Sequence, residues 1–458
     1  MREAGAMKVL LIFPPISVDE RYSKKVGDVG GHLAPLGLAY MAAVLLKEGH
    51  EVSIIDAPAL GYGMDDVLRN VESTRPDFIG MTALTTTIGR VENLSRGIKK
   101  DHPDVLLGVG GPHATIMPDS TLKRTGADFV LVGEGDITIV DILRDPGKYA
   151  MKKVIIGKRV DDLDSLPFPA RHLLPMRAYK ALPNTYKRSP YAINMIISRG
   201  CPFSCTYCCK DLYGYNYRAR SVDNVIREIK HVIREYNTTE ISFWDDLFTM
   251  KRQWVLDFCD RLIEEGIDIA WSCYSRVNFV DYEMLRKMKA AGCWNIFYGI
   301  EAGDQRLLDN IEKGITLDMS RKAVKATKAA GIEVRGSFMI ALPGETPELA
   351  MKTIRFAIEL DADYSQFTIT TPFPGTKLYR EASKWGRLSK KFDEYNEWNP
   401  VFVPFGYKNE AEVRRIHREA FRRFYFRPTY VTKRVLKIRS PGDLIRNIKG
   451  LRMILGFN

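Results

Sequence analysis

Three cysteines on one short loop constrain this chain more than any other feature. They follow a C-x3-C-x2-C pattern in Cys201-Pro-Phe-Ser-Cys205-Thr-Tyr-Cys208, directly after a β-type run at 192–198 and the turn Arg199-Gly200. Three thiolates on one loop can ligate three irons of a [4Fe–4S] cluster, which leaves the fourth iron free to bind another molecule. The pattern therefore predicts an iron–sulfur centre with one open coordination position.

A zinc knuckle or a structural cysteine cluster is the alternative interpretation of this loop. Zinc prefers ligands in two pairs, and no second pair follows in the sequence. Cys209 is adjacent, but its side chain should point away from that of Cys208. The remaining cysteines, Cys259, Cys273 and Cys293, are expected to be core thiols. An odd total of seven cysteines is not typical of a disulfide framework, so a reducing cytosol is expected.

The cysteine spacing and the aromatic Tyr207 before the third cysteine resemble the radical SAM family. The resemblance implies that the free iron binds the amino and carboxylate groups of S-adenosylmethionine (SAM). It also implies that an electron from the cluster cleaves SAM to a 5′-deoxyadenosyl radical, and that an external donor of the flavodoxin or ferredoxin type supplies the electron.

Residues 7 to about 145 alternate short apolar runs with helix-like segments. We expect strands near 8–13, 51–56, 77–82, 105–109 and 128–133. Such runs predict a doubly wound parallel sheet, Rossmann-like, that is covered by helices on both faces. Ligands of these sheets bind beyond the carboxyl ends of the strands.

Small polar residues occupy those predicted strand ends. Together with the segments 35–40, 49–52 and 56–57, they resemble the cobalamin-binding domain that precedes the radical SAM domain in one large subfamily. Glycine-rich turns also end strands in proteins of every function, so each segment taken alone has a purely structural explanation. The resemblance implies that the following residues contact cobalamin: Thr82, Thr85, Gly110, Gly111, Pro112, His113, Gly133, Glu134 and Gly135.

The sequence departs from the pattern of one class of cobalamin-binding domains at the position that supplies the axial ligand of cobalt. Domains that ligate cobalt through histidine carry Asp-x-His-x-x-Gly after the first strand, and residues 14–19 contain no histidine. His32 and His113 lack that context. We therefore expect base-off cobalamin with no histidine ligand, and we expect His113 to be a surface or tail-contacting residue.

A second series of six strand and helix units begins near Tyr191. Strands are expected near 192–198, 239–244, 268–274, 294–300, 333–340 and 364–370, with helices such as 222–236 between them. Six repeats suit the partial (β/α)6 TIM-type barrel of the radical SAM family. Active sites of such barrels lie at the carboxyl ends of the strands.

Polar residues at these barrel ends are the candidates for SAM binding. A carboxylate there can bind ribose hydroxyls or an amine, and Arg276 can hold a carboxylate with two hydrogen bonds. An ordinary loop ion pair is the alternative for Asp245 and its neighbour Asp246. The resemblance assigns Glu301 a position near the SAM ribose or methionyl amine. The full SAM-binding set is Tyr207, Asp245, Arg276, Glu301 and Gly344, and no further catalytic residue is assigned.

The segment 411–458 differs from the rest of the chain in its strong positive charge. It holds 13 Lys and Arg against 3 Asp and Glu, so it carries +10 of the net charge of +12. Apolar residues at helical spacing predict either a helix packed on the barrel or one that lies on an anionic membrane, and they disfavour nucleic acid as the partner. No stretch approaches the roughly 18 apolar residues of a membrane span. A cytoplasmic location is expected, and the membrane alternative would add peripheral contact to the inner membrane surface.

A chain of this length exceeds one ordinary core, and four segments are expected. They are a cobalamin-binding domain at 1–145, a proline-rich linker at 146–190, a radical SAM barrel at 191–405 and a basic helical extension at 406–458. Residues 422–428 resemble the bacteriochlorophyll cyclase and hopanoid-modifying branch, which favours a small hydrophobic substrate.

The predicted activity is hydrogen abstraction from an unactivated carbon, followed by methyl transfer from methylcobalamin. Ring closure or contraction on a lipid or tetrapyrrole-like substrate remains an alternative. A non-enzymatic iron–sulfur or nucleic-acid-binding protein is disfavoured, because a scaffold needs no polar residues at every barrel strand end.

Overall fold

The computed structural model describes residues 5–16, 31–389, 391–438 and 441–456. Two six-stranded parallel sheets organise the described chain. The strands of the first sheet are β1 (Lys8–Phe13), β2 (Glu51–Asp56), β3 (Phe78–Thr82), β4 (Leu106–Gly110), β5 (Phe129–Val132) and β6 (Val154–Ile156). They are ordered β2-β1-β3-β4-β5-β6 and every neighbouring pair is parallel, which confirms the doubly wound fold.

Both faces of this sheet are covered because its strands are apolar on both sides. On β1, Val9 and Leu11 pack on one face, whereas Leu10 and Ile12 pack on the other. The helices of this half are α1 (Leu36–Lys47), α2 (Ala57–Leu60), α3 (Met64–Thr74), α4 (Ile88–Asp101), α5 (Pro112–Ile116), α6 (Pro118–Thr125), α7 (Thr138–Arg144) and α8 (Pro146–Ala150).

The predicted linker contributes to the fold of both halves. Strand β6 lies inside the segment 146–190 and pairs with β5, so the sheet extends past the predicted boundary at 145. Tyr179 donates a hydrogen bond to Asp56 Oδ2 at 2.7 Å. Arg171 forms a fully buried ion pair with Glu228 at 2.6 Å. This segment therefore joins the two halves through side-chain contacts.

The second sheet is the predicted partial barrel. The strands of this half are β7 (Ile193–Met195), β8 (Ser198–Arg199), β9 (Arg218–Ala219), β10 (Glu240–Phe243), β11 (Ala270–Ser275), β12 (Cys293–Glu301), β13 (Glu333–Ile340), β14 (Tyr364–Ile369), β15 (Gly386–Leu388) and β16 (Phe402–Pro404). The sheet has the order β14-β13-β12-β11-β10-β7, all its neighbouring pairs are parallel, and its strands agree closely with the six predicted ones. Two short antiparallel pairs, β8–β9 and β15–β16, form separate two-stranded sheets.

The outer layer of the barrel consists of amphipathic helices. They are α9 (Val222–Tyr236), α10 (Arg252–Glu264), α11 (Tyr282–Ala290), α12 (Gln305–Asn310), α13 (Leu317–Ala329), α14 (Pro347–Leu360) and α15 (Lys377–Trp385). Helix α9 shows why the sequence pattern succeeds. Ser221 caps its first turn, Ile226 and Ile229 are buried against the barrel, and Asn237 ends it in the left-handed conformation.

The basic extension forms three helices, α16 (Glu410–Tyr425), α17 (Pro428–Leu436) and α18 (Pro441–Gly456). The apolar face of α16, which includes Ile416, Phe421 and Phe424, belongs to the barrel core. The packing alternative is thus confirmed for this helix. In contrast, α17 buries no residue completely, and several apolar side chains of α17 and α18 are exposed. Within the described ranges, no helix combines the length and the apolar character that crossing a membrane requires.

Candidate active site

The cysteine loop leaves the barrel through a turn that only glycine fits. Gly200 has φ +86°, and a Cβ there would lie 2.3 Å from the Asn216 carbonyl oxygen. The Cys208 amide donates to the Cys205 carbonyl at 3.1 Å. All seven cysteines are free thiols, and Cys259, Cys273 and Cys293 are buried in the core as expected.

Positive charge surrounds the cysteine loop. Arg276 Nη1 lies 3.4 Å from Cys205 Sγ, and its guanidinium lies 3.8 Å from the centre of the Phe203 ring. A hydrogen bond with Cys208, reinforced by the cations Lys313 and Arg276, lowers the pKa of Cys205 to about 5. The thiolate is the form that ligates iron, so Cys205 is prepared to act as a ligand. The same hydrogen bond raises the pKa of Cys208, which would lose its proton on binding iron. Three cysteines on one loop beside two cations fit a cluster.

Among the described residues, no three His, Cys, Asp or Glu side chains converge closely enough to hold a single metal ion. This finding is compatible with a cluster, because three cysteines of a [4Fe–4S] centre bind three different irons and need not converge on one point.

Glu301 belongs to a buried triad at the carboxyl end of β12. Lys313 Nζ lies 2.8 Å from Glu301 Oε1 and donates to the Tyr207 hydroxyl at 2.9 Å. That hydroxyl in turn donates to Glu301 Oε1 at 3.1 Å. Desolvation raises the pKa of Tyr207 well above its usual value, so the phenol remains a donor. The triad ties a barrel end to the cysteine loop.

A local irregularity in β12 aims Glu301 at this triad. The register with β13 shifts between Gly299 and Glu301, and Glu301 has φ +68°, which is uncommon for a residue other than glycine. A Cβ on Gly299 would lie 2.5 Å from Glu301 Oε1 and 2.8 Å from Lys313 Nζ. The glycine therefore makes room for the ion pair, and backbone strain of this kind is concentrated at functional sites.

The other predicted SAM residues occupy different environments. Asp245 is buried, and its Oδ1 accepts hydrogen bonds from the amides of Ile197 and Ser198 at 2.9 and 2.6 Å. Burial raises the pKa of Asp245 to about 7. Its carboxyl group thus holds the chain just before the cysteine loop. Gly344 adopts φ +75° in a turn beside Asn310.

A cavity of about 240 Å³ opens at the carboxyl ends of the strands of the first sheet. Of the predicted cobalamin contacts, it is lined by Thr82, Gly110, Gly111, Pro112, Gly133, Glu134 and Gly135. A Cβ on Gly108 would lie 2.5 Å from the Phe129 ring, and a Cβ on Gly80 would lie 2.9 Å from Leu11. These glycines open a trough between the strands and α1, into which part of a large ligand fits.

Thr85 and His113 are not among the residues that line this cavity. His113 is completely buried, so its predicted surface position is wrong. Its Nδ1 lies 3.1 Å from Thr85 Oγ1, and its ring packs edge-on against Phe392. Burial lowers the pKa of His113 to about 4, so the imidazole is neutral near pH 7.

A buried ion-pair network connects this cavity to the cysteine loop. Arg199 Nη1 lies 2.7 Å from Glu134 Oε2 and 2.7 Å from Asp136 Oδ2. Arg218 pairs with the other oxygen of Glu134. Because Arg199 precedes the cysteine motif by two residues, the edge of the first sheet is held against the entry to the cluster loop.

A larger cavity, of about 640 Å³, lies inside the barrel. Gly31, Leu33 and Thr86 of the N-terminal half, together with residues of the segment 181–185 and of helices α17 and α18, complete its wall. The lumen side is mostly aromatic, with Trp244, Tyr274 and Phe297, and it also contains Arg335.

Sequence reasoning missed four charged residues of these sites: Lys313, Arg335, Arg199 and Arg218. A signal existed for Arg335, because it interrupts the apolar run of a predicted barrel strand. Lys313 lies between α12 and α13, in the connection that follows the carboxyl end of β12, and barrel enzymes build their active sites from such connections. Arg199 and Arg218 offered no local signal.

Comparisons with known proteins agree with this architecture. A family model for the B12 binding domain matches residues 23–143, and one for the radical SAM superfamily matches residues 195–357. An uncharacterized methyltransferase of Pyrococcus horikoshii is 35% identical, over 97% of this chain and 98% of the relative. The anaerobic magnesium-protoporphyrin IX monomethyl ester cyclase of Rubrivivax gelatinosus is 25% identical, over 93% of this chain and 78% of the cyclase. The cobalamin-dependent SAM radical enzyme OxsB with aqua-cobalamin bound shares the fold, with a TM-score of 0.71 and 15% identity over 98% of this chain and 72% of OxsB.

Proposed function

We propose a reaction for this chain, which belongs to the radical SAM enzymes that carry an N-terminal cobalamin-binding domain. As a member, it uses a [4Fe–4S] cluster, SAM and cobalamin to act on a small molecule. The proposed reaction is methylation of an unactivated carbon of a substrate bound in the barrel lumen. When bound, the cluster supplies the electron that cleaves SAM, and cobalamin supplies the methyl group that replaces the abstracted hydrogen.

The protein residues hold and orient these groups. Cys201, Cys205 and Cys208 would ligate the cluster, with Arg276 stabilising the thiolate charge. The carboxylate of Glu301, oriented by Lys313 and Tyr207, would accept hydrogen bonds from SAM. Thr82 and the glycine-rich segments 110–112 and 133–135 would hold cobalamin. The aromatic lumen excludes water from the radical chemistry.

One observation carries the proposal. The cavity at the first sheet is lined also by Arg199, Leu212 and Tyr213 of the barrel half, and Cys201 is two residues from Arg199. A cobalamin in this cavity would therefore lie beside the cluster loop, as a methyl transfer that follows hydrogen abstraction requires.

Methyl-labelled SAM tests methylation without knowledge of the substrate. Anaerobically reconstituted protein, with about four irons per chain, is supplied with cobalamin, dithionite and SAM that carries a deuterated methyl group. We expect 5′-deoxyadenosine, and we expect the extracted cobalamin to carry the deuterated methyl group. The ring-forming alternative predicts unlabelled cobalamin. Cys201→Ala, Cys205→Ala and Cys208→Ala should lose iron and SAM cleavage, and retention of both in all three variants would end the radical SAM interpretation.

The proposed cobalamin state is base-off, without a histidine ligand. No histidine lines the cavity among the described residues, and His113 already contacts Thr85; residues 17–19 of the stretch without a histidine lie outside the described residues. The absorption spectrum of bound cobalamin should be unchanged in His32→Ala and His113→Ala. Loss of a nitrogen-ligand signature in either variant would contradict this assignment.

The electron donor is proposed to be a flavodoxin or ferredoxin. Either reduced protein should replace dithionite in SAM cleavage, with a rate that falls as salt rises because the chain is basic. Failure of both donors to support cleavage would contradict this proposal.

Peripheral membrane contact is proposed for α17 and α18 only, because the apolar face of α16 is buried. Their exposed apolar residues are Val431, Val435, Leu436, Leu444, Ile445, Ile448 and Leu451. Each nearby cation adds about 1 kcal/mol of attraction to an anionic surface. Full-length protein should sediment with anionic vesicles at low salt, and the double variant Leu444→Ser/Ile448→Ser should not.

Ile263→Ser, at an exposed apolar position on α10, is the matched control for this assay. Equal sedimentation of the double variant and the wild type would exclude this surface. Binding to RNA with a steep salt dependence, in place of vesicles, would favour the nucleic-acid alternative.

A further inference from the structure

One arginine lies inside the barrel without a counter-ion. Arg335 is on β13, only 5% of its surface is exposed, and it lines the cavity of about 640 Å³. Its Nε has no hydrogen-bond partner, and no ion pair joins its guanidinium to another described residue. Arginine is not deprotonated in proteins, so this buried group carries a full positive charge.

Aromatic rings hold the guanidinium in place. Tyr274, Phe297, Arg335 and Tyr364 occupy one row across four neighbouring strands. The guanidinium carbon lies 4.3 Å from the Phe297 ring centre and 5.5 Å from that of Tyr274. Ring faces attract a cation, but they do not accept the planar set of N–H donors as oxygen atoms do. The hydrogen-bonding capacity of Arg335 is left for another molecule.

Of the other five buried arginines described, four pair with a carboxylate, and Arg276 contacts the Cys205 thiol and the Lys313 carbonyl. Arg171 and Arg220 both pair with buried Glu228, and Arg199 and Arg218 both pair with buried Glu134. A buried charge is costly unless it is paired and hydrogen-bonded. Glu397 also lines the cavity, but Arg335 forms no ion pair with it or with another described carboxylate, so an anionic ligand would supply the partner that its charge lacks.

The wall of the cavity around Arg335 indicates the chemical character of the rest of the ligand. This wall is mostly aromatic and aliphatic, and part of it is Val435 and Leu451 of the basic extension. A second cation, Arg434 on α17, also lines it. Arg434 donates to the Tyr364 hydroxyl at 2.7 Å, and its Nη1 has no partner.

We propose that the lumen binds a substrate with an apolar, ring-containing body and an anionic group, a carboxylate or a phosphoryl group, that pairs with Arg335. This inference rests on the proposed function, because it names the substrate class of the same lumen. It gives the extension a role in substrate binding that is independent of any membrane.

The position of Arg335 also orients the substrate. Its row crosses β12 at Phe297, four residues before Glu301, which corresponds to about 13 Å at 3.3 Å per residue. The anionic group therefore binds deep in the lumen, and the carbon that reacts belongs to the opposite end of the molecule, near the SAM site.

Three naphthalene derivatives separate charge from shape in a binding test. Equilibrium dialysis of cofactor-loaded, full-length protein compares 1-naphthoate, 1-naphthyl phosphate and neutral 1-naphthalenemethanol. We expect at least one anion to bind about tenfold more tightly than the alcohol, which is about 1.4 kcal/mol. The preferred anion identifies the group as carboxylate or phosphoryl. In Arg335→Met the preference should vanish, and in Arg335→Lys part of it should remain.

Arg286→Met, at an exposed position on α11, is the matched control and should keep both the preference and SAM cleavage. A second measurement uses the melting temperature without ligand. Arg335→Met should melt at the same temperature as the wild type or higher, because it removes an unpaired buried charge. If Arg335→Met does not fold, Arg335→Gln takes its place in the dialysis experiment.

Equal binding of the alcohol and both anions by the wild type would overturn the assignment, as would an anion preference that survives in Arg335→Met or Arg335→Gln. SAM cleavage by the wild type, measured in the same preparation, tests the proposed function separately. Failure of cleavage with intact anion preference would leave the cavity assignment standing.

Discussion

Two buried arginines at the junction of the two halves and one in the barrel lumen have opposite surroundings. At the junction of the two halves, Arg199 and Arg218 share the carboxylates of Glu134 and Asp136. In the barrel lumen, Arg335 has aromatic neighbours and no ion pair with a described residue. Arginine therefore stabilises the fold where its charge is balanced by carboxylates of the protein, and it is available to bind an anionic ligand where its charge is not balanced.

The difference follows from how each charge is neutralised. Removal of one partner from a buried ion pair leaves an uncompensated charge, which costs several kcal/mol. Removal of a charge that has no partner should cost little and can stabilise the protein. Substitutions at the two places should consequently shift stability in opposite directions.

The largest effect is expected for Glu134→Gln, which breaks the paired side of the comparison. The neutral amide leaves Arg199 and Arg218 with less compensation, so the free energy of unfolding should fall by about 3–5 kcal/mol. Urea denaturation of the full-length chain measures this loss. A loss below about 1 kcal/mol would show that the junction does not depend on charge balance.

Glu301→Gln extends the comparison to the buried ion pair of Glu301 with Lys313, which we also propose to contact SAM. A charge-assisted hydrogen bond contributes about 1.5–3 kcal/mol, so the dissociation constant for SAM should rise roughly 10- to 150-fold. The iron content should not change, because Glu301 contacts Tyr207 and not a cysteine. Glu312→Gln, the same change at an exposed position eleven residues on, is the control. Unchanged SAM affinity would assign Glu301 a structural role.

Gln366→Glu tests the unpaired side by placing a carboxylate in the lumen. Gln366 lines the cavity on β14, next to the strand of Arg335. An internal counter-ion should compete with anionic ligands, so 1-naphthoate should bind about tenfold more weakly, or about 1.4 kcal/mol. Dialysis against the neutral alcohol controls for a change in cavity shape. Unaltered naphthoate binding would indicate that the anion does not bind near Arg335.

The smallest effect is expected for Glu359→Gln, which breaks an exposed pair. Arg321 and Glu359 lie 2.6 Å apart, and about half of each side chain is exposed to solvent. Such pairs contribute about 0–1 kcal/mol. The urea midpoint should hardly move. A fall in the free energy of unfolding as large as that of Glu134→Gln would show that burial does not explain why the two ion pairs differ in their contribution to stability.

Local patterns explain which parts of the fold the sequence predicts. Apolar runs and capping residues act over a few neighbours, so helix α9 and the six barrel strands are read from the chain directly. Strand β6 was missed because it has only three residues, and two of them, Val154 and Ile156, are not fully buried. Its place depends on pairing with β5, which no local pattern records.

The sites divide in the same way. The cysteine loop is a local motif, and the strand-end rule selects Glu301. The pairing of Glu134 with Arg199 joins residues 65 positions apart, and the burial of His113 depends on its contact with Phe392. Such contacts depend on tertiary packing, so the sequence alone predicted Glu134 only as a ligand contact and His113 as a surface or tail-contacting residue.

The network at the junction limits how this protein can be recombined. Arg199 is tied to the first sheet and is separated from Cys201 by a single glycine. A hybrid enzyme with a first domain from one relative and a barrel from another would have to transfer Glu134, Asp136, Arg199 and Arg218 as one set. The natural unit of exchange therefore crosses the domain boundary.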